Sequence, residues 1–231
     1  MTSEAYRLES AADLVPSPVL PALVWAEGIA PPRPTDATPP FLAEALAETQ
    51  TTGEAFVPIE LRQRVRRMLR HGKYKPSGRG KPASEFLLRA ALTESFPLVN
   101  GPVDVNNVIS LQSGLPASIF DADAAGSQLL LRRGLPGETY VFNPSGQTID
   151  LQDLLLVCRR SDAGWQPCGN PVKDSMSTKT GPDTRNLVAV IYAPIDEPLA
   201  SVERWAARFA ELLEEHCGAE RSGYHIGADG P

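Results

Sequence analysis

The sequence predicts an α+β fold organised as one domain. Amphipathic helical periodicity is confined to the two ends of the chain, whereas after Pro97 the pattern breaks into short apolar runs punctuated by Gly, Pro and Asn. A chain of 231 residues, 42% hydrophobic and 22% charged, is long and apolar enough for one large core. Helices placed at both ends of a β-rich middle exclude the alternating order of a doubly wound sheet.

Residues 1–15 are small and polar and residues 219–231 lack periodicity, so both ends are expected to fray and leave a domain over 16–218. Leu20 to Trp25 is a short apolar run bounded by prolines and reads as a strand. Pro31 to Pro40 holds five prolines and reads as a loop, and Phe41 to Gln50 reads as a helix behind them. From Glu60 to Arg70 the residues Leu61, Val65, Met68 and Leu69 share one helical face, and Arg62, Arg64, Arg66, Arg67 and Arg70 cover the remainder. Gly72 to Gly80 is a loop. Pro82 then opens a helix over Ala83 to Thr93, because a proline in the first turn gives up no helical hydrogen bond.

Strands and hairpins are expected at Val103–Leu111, Ala117–Phe120, Leu129–Arg132, Thr139–Phe142, Ile149–Cys158 and Leu187–Tyr192. The first of these is also compatible with a helical start. Turn signals stand at Arg133-Gly134, Pro136-Gly137 and Asn143 to Gly146. A final helix runs from Pro198 to Cys217, with Leu199, Val202, Trp205, Phe209, Leu212 and Leu213 on one face and Gly218 as its stop.

Several function classes lose support at once. Cys158, Cys168 and Cys217 form neither a disulfide framework nor a zinc ribbon, and His71, His216 and His225 lack metal-binding spacing, so no metal and no cofactor is expected. Three unpaired thiols suit a reducing cytoplasm. The apolar stretch from Val15 to Ala30 is broken by Pro16, Pro18 and Pro21 and carries Glu27, which argues against an export signal; no run is long enough to span a membrane, and no membrane partner is expected. There is no GxSxG or HExxH motif, and Gly80-Lys81 lacks the flanking residues of a phosphate-cradling loop. Lys179-Thr180-Gly181 has no accompanying SxxK nucleophile.

Two stretches carry chemistry. In the first, Lys73, Lys75, Arg79 and Lys81 stand on a glycine-rich loop with Tyr74 among them, a combination suited to phosphate contact with a stacked base or to a solvated connection between helices. In the second, Asn100, Asp104, Asn106, Asn107 and Ser110 are interleaved with Val and Ile. Such groups either form a satisfied internal network or line a pocket, since leaving each unpaired costs about 1–3 kcal/mol.

The run Gly72 to Arg89 (GKYKPSGRGKPASEFLLR), with Val103 to Leu111 (VDVNNVISL) and Leu115 to Asp121 (LPASIFD), resembles the tRNA-editing domain of the phenylalanyl-tRNA synthetase beta subunit, and its free-standing relatives more closely. Asp153 to Val157, Asp174 to Thr180, Leu187 to Tyr192 and the final helix are similar to that domain's later part, so the resemblance spans about Leu20 to Gly218. It implies a single domain with a layered β/β/α core and a cleft that hydrolyses the ester of a mischarged tRNA, without the synthetase core. With that activity in view, Asn107, Ser118 and Asp121 are expected at the reacting end and Asn100, Asp104, Asn106, Ser177, Thr178 and Thr180 around the pocket, while the local basic charge puts any tRNA against Arg66, Lys73, Lys75, Arg79 and Lys81. Where the family pattern has a His two residues before the Phe-Asp pair, this chain has Ser118, and the family's editing-site glutamate has no counterpart; no general base carries over. Two functions from different classes follow: a trans-acting aminoacyl-tRNA deacylase, or a non-catalytic module binding RNA, an amino acid or another small ligand.

The formal charge of −6 argues against a nucleic-acid partner only as a total. Between Glu60 and Arg89 ten Lys and Arg face two acids, a local +8, and the rest of the chain carries −14. Screening over about 8 Å at physiological salt makes the local value the relevant one.

Overall fold

The computed structural model describes residues 6–230. Strand β1 (Arg7–Ser10) precedes the longer β2 (Val19–Glu27). Helices α1 (Pro40–Thr52), α2 (Ile59–Leu69) and α3 (Ala83–Leu92) each start directly behind a proline, at Pro39, Pro58 and Pro82. A proline at a helix entrance removes an N–H that has no helical partner anyway. Helix α4 (Gly101–Ser113) leads to β3 (Ala117–Asp121), the one-turn α5 (Ala122–Ala125) and β4 (Gln128–Arg133). Strands β5 (Thr139–Val141), β6 (Thr148–Asp150), β7 (Leu155–Ser161), β8 (Gly164–Gly169) and β9 (Asn186–Pro194) follow. The long α6 (Leu199–Cys217) and β10 (Arg221–Ile226) complete the order.

The strands form two four-stranded sheets, β1-β4-β7-β8 and β10-β2-β9-β3, and the separate ribbon β5-β6. Strand β9 lies inside the second sheet with β2 and β3 at its edges, and every residue from Leu187 to Pro194 is buried. An unbroken apolar strand of this kind needs cover on both faces. The helices α6 and α4 pack on β2 and β3 on one side, and the first sheet lies on the other, where Gly169 of β8 admits Phe120 of β3. The same alternation explains the run Leu129-Leu130-Leu131: the outer two join the main core, while Leu130 joins Leu154, Leu156 and Cys158 beneath Tyr140 and Ile149 of the ribbon. The result is a layered arrangement of sheet, sheet and helices, the α+β architecture the sequence predicts.

Three expectations are corrected. Both ends are strands where fraying was expected: β1 pairs in parallel with β4, and β10 runs antiparallel to β2 from Arg221–Glu27 to Ile226–Ala22. These are edge strands with one outward face, so their sequences show too few apolar residues to register as periodic. The expectation for residues 1–5 and 231 lies outside the described residues. Second, the strand expected at Val103–Leu111 is the helix α4. Asn100 Oδ1 accepts the Val103 N–H at 3.1 Å, Pro102 occupies the first turn, and Gly114 stops the helix at φ 70°. These start and stop signals outweigh β-branched content. Third, Ile149–Cys158 is two strands, β6 and β7, separated by a turn with Asp153 at φ 67°. Among the described residues no helix is long and apolar enough to cross a membrane.

Strand β10 covers an edge of β2, and Trp25 lies over Gly223, where a Cβ would stand 2.6 Å from the ring. Deleting residues 219–231 should therefore lower the thermal unfolding midpoint by about 10 °C, the shift expected for a loss of a few kcal/mol in a chain of this size. An unchanged midpoint in differential scanning calorimetry would assign β10 no structural role.

Candidate functional site

A cavity of about 260 Å³ opens between α3, α4, the edge strand β3 and the segment 170–180. Its apolar wall includes Phe86, Leu87, Val103 and Ile119; its polar wall includes Asn106, Asn107, Asn170, Asp174, Lys179 and Thr180. Apolar walls with a few convergent polar groups are the usual form of a small-molecule site.

Asp174 is the chemical centre of that polar wall. Among the described residues strand β3 has no strand beyond its outer edge, and the turn 170–174 lies against it. Ser118 Oγ donates to Asp174 Oδ1 at 2.6 Å, the Asn170 N–H approaches the same oxygen at 3.3 Å, and the buried Tyr192 hydroxyl stands 3.0 Å from Ser118 Oγ. Burial pushes the carboxyl up to about 7, against the opposing pull of the Ser118 hydroxyl, the Asn170 and Ile119 N–H groups and the Lys179 charge. A carboxyl poised there changes charge in the physiological range.

The turn that holds Asp174 is built by Asn170. Its Oδ1 accepts the Val172 and Lys173 N–H groups at 2.8 and 2.9 Å, and its Nδ2 donates to the Tyr140 hydroxyl at 2.6 Å. Tyr140 in turn donates to Lys173 O at 2.6 Å. Gly169 precedes this turn because nothing larger fits: a Cβ there would lie 2.4 Å from Phe120 Cζ and 2.8 Å from Asp174 Oδ1.

Opposite, α4 presents two amides. Asn106 is 6% exposed and its Oδ1 has no hydrogen-bond partner. Its Nδ2 makes long contacts of 3.4 Å to Asn107 Oδ1 and Ala117 O, and the reversed amide would set oxygen against both acceptors. A buried acceptor left open in a cavity wall can receive a donor from a ligand. Asn107 is half-buried beside it.

The residues singled out from the sequence are thus divided. Asn100, Asn106, Asn107 and Thr180 line the cavity; Asn100 also caps α4 and holds Thr180 Oγ1 at 3.1 Å. Ser118 is fully buried behind the wall as the partner of Asp174. Asp121 lies outside the lining: Oδ1 accepts the Asp123 and Ala124 N–H groups as the cap of α5, and Oδ2 accepts the Thr184 hydroxyl. Both of its oxygens are thus engaged within the protein. Asp104 also lies outside the lining, buried in the first turn of α4 and bound to the Val99 N–H at 2.9 Å and to Thr35. Ser177 and Thr178 are not in the lining either; Ser177 is held by Ser175, and Thr178 is buried over Cys168 O at 3.4 Å. Asp174, Asn170, Lys173 and Phe86 were missed as site residues. The sequence signals for the first were its place after a Gly-Asn-Pro turn and at the head of the Asp174–Thr180 segment.

The basic loop is fixed rather than free. The Lys73 N–H donates to Asp153 Oδ2 at 2.7 Å, the Tyr74 hydroxyl donates to Gly80 O at 2.5 Å, and the Ala83 N–H donates to Pro171 O at 2.8 Å. Tyr74 packs partly buried against the core and lines the first of the two grooves beside the loop. Two grooves flank the loop, one of about 970 Å³ lined by Lys73, Lys75, Arg79 and Lys173, the other of about 1010 Å³ lined by Arg62, Arg79, Lys81, Arg89 and Lys173. Arg66 also lines the second, but its guanidinium is engaged by Glu85, with Nε to Oε1 at 2.5 Å. Arg62 pairs with Glu54 at 3.3 Å. Among the described residues no group of three or more His, Cys, Asp or Glu is placed to hold a metal ion.

No protein-family model matches this sequence, and no curated protein matches it. Among solved structures, the fold is similar to that of an N-terminal fragment of the phenylalanyl-tRNA synthetase beta-subunit from Pyrococcus horikoshii, with a TM-score of 0.50 and 11% sequence identity. The match covers 97% of this chain and 52% of that one, so the chain spans about half the length of the solved fragment.

Replacing Gly169 with Ala should cost about 1–3 kcal/mol in urea unfolding, the range for overpacking a filled site. An unaltered midpoint would show that Phe120 and Asp174 are free to move aside. Asp174 carries a second expectation. Its folded value of about 7 lies above the unbound 3.8, so the native state holds a proton that the unfolded chain has lost between those limits. Stability contributed by this group therefore declines as pH rises from about 4 to 7 and is level above. Asp174→Asn should gain stability relative to the parent chain across that window, and a difference independent of pH would contradict the buried carboxyl.

Proposed function

We propose that this chain hydrolyses the ester of a mischarged aminoacyl-tRNA, acting in trans, with the amino acid in the cavity and the tRNA end along the basic grooves. The observation that carries this reading is the Asp174 carboxyl, raised to about 7 and set in the wall facing the two amides of α4. That group takes the place of the general base that does not carry over from the family pattern. The shared fold with a phenylalanyl-tRNA synthetase beta-subunit fragment supports a tRNA-related partner. Three buried thiols suit a reducing cytoplasm as the place of action.

Ionised Asp174 takes a proton from water as the water oxygen bonds to the ester carbonyl carbon. The oxyanion that develops is met by the Asn107 amide and the Lys179 ammonium, and the open Asn106 Oδ1 accepts from the α-ammonium of the amino acid. Collapse breaks the bond to the ribose oxygen, which departs with the proton. An aminoacyl ester is already activated, so positioning and oxyanion stabilisation supply much of the rate. Ser118 acts through Asp174 as a positioning residue.

Release of amino acid from a panel of mischarged tRNAs tests the reading. The turnover rate should rise with pH to a plateau above about 7, and Asp174→Asn should lower it by about 10²–10⁴-fold, the span of a general base. Turnover unaffected by that substitution overturns the assignment. Ser118 standing where the family pattern has histidine favours a second reading, a module that binds without chemistry. Stabilisation by an amino acid or tRNA in thermal shift, with no ester cleaved, would establish it instead.

A further inference from the structure

Phe86 is 61% exposed on α3, and it lines both the cavity and the larger basic groove. A single exposed apolar side chain calls for no explanation. This one stands where an amino-acid-sized cavity meets a groove lined by Arg79, Lys81, Arg89 and Lys173, none of which has a salt-bridge partner among the described residues. The acids in the groove are already engaged, Glu85 by Arg66 and Glu54 by Arg62. Within this groove four cations therefore stand without a paired acid, from the fixed basic loop to the lip of the cavity, and Lys173 has only the Phe142 ring at 3.8 Å beside its ammonium. Burial lowers Lys173, and the Arg79 charge lowers it further. Two crowded cations of that kind are relieved by an anion between them.

From this juxtaposition we propose that Phe86 is the stacking platform for an unpaired base at the 3′ end of an RNA, with the adjoining phosphates on Arg79, Lys81 and Arg89. The inference rests on the RNA partner assigned above and adds the residue that reads the end of the strand. Stacking is tolerant of base identity and insensitive to salt, whereas phosphate binding releases counterions, so the two contributions separate experimentally. An RNA seated here leads its terminal ribose from Phe86 directly into the cavity that Asp174 faces.

Fluorescence anisotropy with a 5′-labelled RNA hairpin carrying four unpaired 3′ nucleotides provides the test, with the blunt hairpin as reference. Phe86→Leu should weaken binding of the overhanging hairpin about ten-fold and leave the salt dependence unchanged, and Phe86→Trp should restore affinity. Arg79→Ala with Lys81→Ala should instead flatten the plot of log affinity against log salt by about 0.7 for each phosphate that is no longer neutralised. Equal binding by Phe86→Leu, or equal affinity for the blunt and overhanging hairpins, overturns the platform. The deacylation assay is read separately. Turnover lost in Asp174→Asn but unaltered in Phe86→Leu removes the platform and keeps the enzyme, whereas a chain that binds neither hairpin removes the RNA partner with it.

Discussion

The strand β9 is the constraint on which the other layers depend. Eight consecutive buried residues with partners at both edges have no face left for solvent, so one sheet must close over one side and helices over the other. Tyr192 and Phe209 are among the largest fully buried side chains, one on β9 and one on α6. The cavity follows from the same geometry. Where the sheet ends at β3 nothing of it continues between the helical layer and the first sheet, and the turn 170–174 fills only part of that gap.

That gap is where polar chemistry is concentrated. Tyr192, Ser118 and Asp174 form a chain of hydrogen-bonding groups from the interior of β9 to the cavity wall. Its inner members are fixed by core packing, so the turn that carries the carboxyl is tied to the sheet behind it. The open Asn106 Oδ1 and the half-buried Asn107 face a group whose charge responds to neutral pH. Burial of the carboxyl and its retained ionisability arise together from its place at the rim of a sheet.

Much of the layer order was legible in the sequence, because helices with an apolar stripe and strands with turn punctuation declare themselves. Leu61, Val65, Met68 and Leu69 marked α2, and Gly218 marked the end of α6. The strand assigned to Val103–Leu111 failed because β-branched residues occur in buried helices too, and Asn100, Pro102 and Gly114 were the signals to weigh. The edge strands were illegible because an edge needs only half of its residues to be apolar. For the site, Asn100, Asn106, Asn107 and Thr180 were visible as amides and hydroxyls among core formers. Asp121 looked as available as Asp174 on paper. Only the fold distinguishes a carboxylate occupied as a helix cap from one left at a cavity wall, since Ser118 meets its partner across 56 positions of sequence.

The two ends of the described chain are joined. The Ser10 N–H donates to Asp229 O at 2.9 Å and the Asp229 N–H donates to Leu8 O at 2.8 Å, so the strand that edges one sheet is clasped by the segment leaving the edge of the other. During synthesis β1 has no such clasp until position 229 has emerged. The outer edge of β2 stays bare until β10 is made, and the two sheets lack this link at their shared margin until the segment that follows it is present. Closure of that margin thus waits for the last described strand, and a nascent chain stalled before that point presents an open sheet edge to whatever lies beside it.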